Sequence, residues 1–516
     1  MLAGVVSAAS WYCDKDAAGT NTGTSWTNAW HALAHVVFST TPGGGVYPGD
    51  TLFISGGTDS SVYAEGLTVQ YGYDDPRVTG TESNRVTIKV GKESGHNGNV
   101  VISNASGNGI YVTSEDFVTI DGAYNGTTHL IIHDCVGDGV NITGSKRSIV
   151  KYCEIYRCGD ATGENGILID VTTDPDTMVE IAYCSIHDNY QDGIHISSSR
   201  VLGYDRFIVH HNDIYNLNDD GIELGGSINF FNNTIHGVAL TGTTSGHPDG
   251  IQTSGGYTRV YNNYFYNFFN YDNGFNAAME ISFFNVTHAP ERYFEIYNNV
   301  CVQDQAGDSL YAGNVATTMR GLEFTRSTLT SSIADSITDV LIANNTFIGW
   351  PITGMSFALY EREGRHCVAR RIKILNNVVY NCFKNPGNTI AFSIGTDLTY
   401  TSTYGSYGSG ADVEIDYNII NEGPSGGKAV EVSDVTYNTN ELWKAAYDVQ
   451  NNVTGNPDPV INDTGMVLSG SPLINAGADL SEYFTTDRLG RVRSNWTIGA
   501  YEYTTSHTGK ITIKLK

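Results

Sequence analysis

SGHPDGIQTSGG, residues 245–256, is a polar, glycine-rich stretch ending in a short apolar pair. Its centre is an acidic or amide residue, Gly, a β-branched apolar residue, a variable residue and another apolar one. That pattern returns as NGIYV at Asn108, DGVNI at Asp138, NGILI at Asn165, DGIHI at Asp192, DGIEL at Asp220, DGIQT at Asp249 and a degenerate AAMEI at Ala277. Successive starts lie 30, 27, 27, 28, 29 and 28 residues apart. So regular a period marks a solenoid, in which each repeat is one coil that buries its apolar side only against its neighbours. The apolar residues flanking a variable one read as a strand with two side chains in and one out. No helical period of 3.6 runs through these segments.

A second beat follows the same spacing: VKYCEI, IAYCSI, VHHNDI, NFFNNTI, RVYNNYF, EIYNNV, IANNTF, ILNNVV, IDYNII and VQNNV. Cys153, Cys184, Asn212, Asn233, Asn263, Asn299, Asn345, Asn377, Asn418 and Asn452 take equivalent places in it. Asparagine tolerates a left-handed turn and can pair its amide with the coils above and below, so this column is expected to be a structural ladder. From Asn263 the steps lengthen to 36, 46, 32, 41 and 34 residues, and the extra residues must leave the coil as loops.

Composition agrees. Among 516 residues, 58 Gly, 32 Tyr and only 16% charged residues suit short strands and tight turns, hence an all-β chain. A net charge of −26 excludes the basic footprint that nucleic acid or an anionic membrane would need. The same charge disfavours a polyanionic substrate unless a cation such as Ca²⁺ sits between acid and acid. No apolar run reaches the roughly 18 residues of a membrane span, and MLAGVVSAAS resembles the tail of a secretory signal. Eight cysteines show neither a CxxC pair nor a metal-ligand spacing and are expected to be buried thiols.

These features together resemble the right-handed parallel β-helix proteins of the pectate lyase type. PGDTLFISGG at 48–57 resembles their first strands, and the DGI and NN beats run across residues 100–455. GSPLINAG and DRLGRVRSNWTIGAYEY near the end resemble the closing segment of many bacterial β-helix proteins. The resemblance implies a cap with the first strands over 1–95, a parallel β-helix with a catalytic groove over 96–465, and a closing segment over 466–516. It implies a fold rather than a reaction, because this superfamily includes lyases, glycoside hydrolases, esterases, epimerases and phage tailspikes.

In such a helix equivalent residues stack about 4.8 Å apart. The outward column is then Tyr111, Asn141, Leu168, His195, Glu223, Gln252, Glu280, and the column before Gly is Asn108, Asp138, Asn165, Asp192, Asp220, Asp249, Ala277. Residues 185–285 hold ten acids, three arginines, no lysine and six of the fourteen histidines. Stacked carboxylates raise one another's pKa unless a cation neutralises them, so Asp192, Asp219, Asp220 and Asp249 form either a Ca²⁺ cradle or an acid/base pair. The bland reading is that each Asp before Gly caps its own turn.

Two reactions can be built on these residues. For hydrolysis, Glu223 and Glu280 stand two coils apart, about 9.6 Å between backbones, which favours inversion; Asp220 and Asp249, one coil apart, would be the retaining pair. For β-elimination, the acids hold Ca²⁺, His195 or His247 is the base, and Arg259 or Tyr257 assists. The resemblance to pectate lyases with Ca²⁺ on a DDGI-like coil implies Asp219 and Asp220 as ligands. Those enzymes use Lys or Arg as base, and this stretch has no Lys. Gln252, Tyr257, Tyr264, Tyr266 and Tyr271 are the expected sugar contacts. The expectation is a secreted or virion-borne enzyme that cleaves a polysaccharide, by elimination at a uronate or, as the alternative, by inverting hydrolysis. A non-catalytic glycan-binding spike like those of phage tails is the third reading.

Overall fold

The structure is a computed structural model. It describes residues 8–71, 80–160, 163–171, 178–197, 206–238, 248–268, 276–284, 291–303, 319–327, 335–351, 353–360, 367–382, 390–394, 413–421, 428–432, 435–437 and 457–504. The chain is a right-handed parallel β-helix in two compact units, the first mainly Met1–Arg259 with Asn267–Ile281, the second mainly Val260–Tyr266 with Ser282–Gly313 and Thr317–Lys516.

The first unit is built of three parallel sheets, each coil giving one strand to each. Sheet I runs from Ser10–Cys13 to Asn229–Phe231, sheet II from Ser60–Tyr63 to Thr234–Val238, and sheet III from Leu67–Val69 to Ile251–Thr253 and the opening of Asn276–Phe284. Pairing begins at Ser10–Cys13 against Thr51–Ile54.

The strand alternation read from sequence holds. Ile110, Val140, Ile167, Ile194, Ile222, Ile251 and Met279 stack inward with no solvent exposure. Their neighbours alternate outward in the register Tyr111, Asn141, Leu168, His195, Glu223, Gln252, Glu280. On sheet II, His133, Tyr156, His187, Tyr215 and His236 stack ring on ring at 5.0, 5.0, 4.5 and 4.8 Å. Because the rings cover one another's faces, this column is structural. Among the described residues, Cys13, Cys135, Cys153, Cys158, Cys184, Cys301 and Cys382 are buried thiols outside any disulfide.

The glycine of each DG or NG pair has a steric cause. A Cβ on Gly139, Gly166 or Gly193 would stand 2.7 Å from the carbonyl oxygen of the equivalent glycine one coil on. Real Cβ atoms do not approach that closely, so the residue before the strand must lack one.

In the second unit one parallel sheet holds Glu291–Tyr297, Asp335–Ala343, Cys367–Leu375 and Val413–Asp416, and another holds Tyr264–Tyr266, Val300–Val302, Thr346–Ile348, Val378–Tyr380 and Ile419–Asn421. Residues 457–504 pack on the outside of these strands. Leu480, Phe484 and Trp496 cover Leu341, Ala343 and Leu375, while Leu473 and Ile498 cover Val378 and Ile419. Arg493, buried, donates to Asn298 Oδ1 at 2.8 Å and to the Thr497 and Gly499 carbonyls, which fastens this segment to the coil corner.

The asparagine ladder forms as expected, with one refinement. The left-handed residue is the one before the ladder position, Asn262, Asn298, Asn344 or Asn376 at φ 59, 56, 53 and 59°. Tyr152, Tyr183 and His211 take the same conformation in earlier coils, so the corner does not demand asparagine. The buried residue that follows carries the ladder. Its Oδ1 accepts the backbone N–H of the preceding coil, as Asn233 does from Asn212 at 3.0 Å and Asn377 from Asn345 at 3.0 Å.

Candidate functional site

Two columns of the first unit meet on sheet III. The residue before each glycine forms its own ladder: Oδ1 of Asn108, Asp138, Asn165, Asp192 and Asp220 accepts the backbone N–H of Asp138, Asn165, Asp192, Asp220 and Asp249 in turn, at 2.9, 2.8, 3.3, 3.0 and 2.6 Å. Asp249 Oδ1 accepts the N–H of Ala277 in the same way. These residues therefore bind the next coil's amide, which is structural but differs from the expected cap of their own turn.

The second oxygen reaches the outward column three residues on. Asp138 Oδ2 accepts from Asn141 Nδ2 at 2.7 Å, and Asp192 Oδ2 meets His195 Nδ1 at 2.9 Å. In the next coil the residue at this place is Glu223, an acceptor, and its Oε2 lies 3.2 Å from the same His195 Nδ1. One imidazole N–H thus faces two carboxylates. Both hold the imidazolium, raising its pKa to about 10 against the lesser, opposing effect of burial.

Deeper in the stack the charge is relieved by protons. Asp220, 3% exposed, and Asp249, fully buried, hold their protons well above the usual carboxylate range. Burial is the main cause for both. For Asp220 the charges of Asp192, Asp219 and Glu223 add to it. For Asp249 the charges of Glu280 and Asp220 add to it. Asp249 and Glu280 are thus neighbouring carboxyl groups, of which Glu280, 6% exposed, is the outer member.

Replacing Asp220 by Asn tests whether this strain is real. Asn108 and Asn165 fill the same place with an amide oxygen, so Asn keeps the bond to the Asp249 N–H and removes an ionisable group from a buried site. A carboxyl whose folded pKa lies above its unfolded value of about 3.9 costs stability as pH rises past that value. Asp220→Asn is therefore expected to raise the thermal midpoint by about 2 °C or more at pH 8, with the gain fading toward pH 4. A fall at pH 8 would contradict the assignment.

His195, Glu223, Gln252 and Glu280 come together in one column above Asp192, Asp220 and Asp249, with Asp219 beside Asp220. The other expected residues do not join them. Arg259 lies on the sheet I strand Thr258–Tyr261, and Tyr257 occupies the left-handed turn before it at φ 58°. Tyr264 and Tyr266 lie on the second unit's strand Tyr264–Tyr266, where Val300, Val302, Ala500 and Tyr501 pack around them and the Arg488 guanidinium sits 5.0 Å over the Tyr264 ring. Both are half-buried under this packing, on a different sheet from the column. His247 and Tyr271 lie outside the described residues.

Asp192, Asp220 and Asp249 are a poor donor set for Ca²⁺. Each spends one oxygen on a backbone amide, and Ca²⁺ takes six to eight oxygens. The described side-chain atoms that do converge, within 4.8 Å of one another, belong to Asp192, His195 and Glu223. That set offers two carboxylate oxygens and an imidazole nitrogen, whereas Ca²⁺ takes oxygen ligands, so the residues present do not fit Ca²⁺. Nor can Asp220 and Asp249 be the retaining pair, because both carboxyl groups are buried beneath the column.

Residues 76–237 match the family described as the right handed beta helix region. No curated protein matches the chain. Among solved structures, XylC in complex with xylose is similar over 96% of this chain and 98% of its own, with a TM-score of 0.51 and 11% identity. Pectate lyase Pel9A is similar over 97% and 98%, with a TM-score of 0.40 and 13% identity. An alginate lyase from Paenibacillus sp. str. FPU-7 is similar over 57% and 87%, with a TM-score of 0.37 and 15% identity. At these identities the likeness is one of fold. Among the described residues no helix is long and apolar enough to cross a membrane.

Proposed function

We propose that the protein hydrolyses a polysaccharide with inversion at the anomeric carbon, on the outward face of sheet III. The observation that carries this reading is the register, which sets the carboxyl groups of Glu223 and Glu280 two coils apart in one outward column, with Asp249 buried beside Glu280. In this reading Glu280 protonates the leaving oxygen, and Glu223 takes a proton from the attacking water. Two ladder steps, about 9.6 Å between backbones, stand at the upper edge of the roughly 6.5–9.5 Å between carboxyl groups that leaves room for that water.

Elimination is less well supported. A base must be unprotonated at working pH, whereas His195 is held as an imidazolium by Asp192 and Glu223. Arg259 and Tyr257 stand off the column, and the aspartates do not fit Ca²⁺. Polysaccharide cleavage is tested by following reducing ends together with the absorbance of an unsaturated product. Reducing ends without that absorbance, unaffected by EDTA, and a first product of inverted anomeric configuration by NMR are expected. Unsaturated product would overturn hydrolysis, and retained configuration would overturn the Glu223–Glu280 assignment.

A further inference from the structure

We infer that the substrate is a neutral glycan chain laid along sheet III, held next to the acid–base centre by Tyr111, Asn141 and Leu168, and that polyuronates are refused. This inference rests on the hydrolytic reading of the same site and extends it to the substrate class. The strand register places these three side chains in line with His195, Glu223 and Glu280, each one coil from the next. A coil step of about 4.8 Å is close to the length of one sugar ring, so each coil can meet one unit of a chain lying along the column.

The strip is uncharged and ordered. Tyr111 offers a phenol ring and Leu168 an apolar surface, both half-buried. Asn141, less exposed, is fixed from two sides: its Nδ2 donates to Asp138 Oδ2 at 2.7 Å and its Oδ1 accepts from Thr143 Oγ1 at 2.7 Å. One N–H and one lone pair of that amide remain to meet a hydroxyl. This combination of a ring, an aliphatic patch and a fixed amide suits the apolar faces and hydroxyls of a neutral sugar.

The charge around the strip argues against an anionic chain. Among the described outward residues of sheet III in the first unit, none is Lys or Arg. The cation present, His195, is already faced by two carboxylates. Asp170 stands exposed beside the strip, in register with Thr143 and Ser197. Lys146 and Arg147 sit on the turn leading into sheet I, where the Arg147 guanidinium lies 5.9 Å over the Phe117 ring. A uronate at each unit would meet Asp170, Glu223 and Glu280 in succession, in the field of a chain of net charge −26.

The test is affinity electrophoresis of Glu280→Gln, which binds without turnover, through gels containing neutral polymers (xylan, galactan, β-glucan) or polyuronates (polygalacturonate, alginate). Retardation by at least one neutral polymer and by no polyuronate is expected. Adding Tyr111→Ala or Leu168→Ala should weaken the retardation about 3- to 10-fold with the circular dichroism melt unchanged. Retardation by a polyuronate above every neutral polymer, or by none of the polymers, would overturn the substrate class. Undiminished retardation in both alanine variants would overturn the strip. Because binding is read on a variant that does not turn over, a failure here is distinguishable from a failure of hydrolysis, which shows in the wild-type products.

Discussion

Glu280→Gln is expected to lower kcat by about 10²- to 10⁴-fold, the usual contribution of a general acid, while leaving KM and the thermal midpoint close to wild type. Gln is nearly isosteric with Glu, so the packing beside Asp249 survives. What is lost is the proton that the leaving oxygen needs. Glu223→Gln should fall as far for a different reason: water is no longer deprotonated, and the imidazolium of His195 loses one of its two carboxylate partners.

The two variants are separable by leaving group. A substrate whose leaving group departs as a stable anion needs no acid, so it should restore Glu280→Gln by at least about 10-fold over the natural linkage and leave Glu223→Gln slow. The double variant should be little worse than the poorer single one, because the two residues act in one transition state. Equal restoration of both variants would sink the assignment of roles. Wild-type rates in either variant would sink the site.

Much of this was legible in the residues, and the parts that were not have physical causes. A period of 27–30 residues is a length, and length carries over to the coil directly. Strand alternation then placed His195, Glu223, Gln252 and Glu280 in one outward column, and the register agrees. The role of Asp220 was not legible, because a carboxylate before glycine has the same local sequence whether it caps its own turn or accepts the next coil's amide. Only the position of the following strand decides that.

Arg259 and the tyrosines fail for a different reason. Four residues, 254–257, separate Ile251–Thr253 from Thr258–Tyr261, and a corner in so short a segment moves everything after it to another sheet. Tyr264 and Tyr266 read as ring platforms until residues 457–504, two hundred positions later, come back to pack against them. The neighbouring carboxyl groups of Asp249 and Glu280 had one sequence signal, a carboxylate stacked one coil beyond another. That spacing alone does not say whether a cation or a proton resolves the repulsion.

Asn345→Leu is expected to cost on the order of 4 kcal/mol in the stability of the second unit, the largest loss anticipated for any single ladder residue. Asn345 is fully buried. Its Oδ1 accepts from both the backbone N–H and the side-chain Nδ2 of Asn299 at 3.0 Å, and its own Nδ2 donates to the Ile296 carbonyl at 2.9 Å and to Asn377 Oδ1 at 3.0 Å. Leucine has a similar volume and satisfies none of these groups. Each polar atom left unpaired away from water costs about 1–3 kcal/mol, partly recovered by relaxation. Aspartate keeps the acceptor but sets a carboxylate oxygen against the Ile296 carbonyl and Asn377 Oδ1, so it should lose nearly as much at pH 7 and less at pH 4, where protonation restores a donor. Cysteine should cost least, because Cys153 and Cys184 occupy the same ladder position in earlier coils and donate Sγ–H to the Lys151 and Ala182 carbonyls at 3.4 Å. Denaturant unfolding ranks the three variants, and amide exchange at Asn299 reports the ladder bond itself. A leucine variant within about 1 kcal/mol of wild type, with that amide still protected, would show that the coils are held by apolar stacking alone.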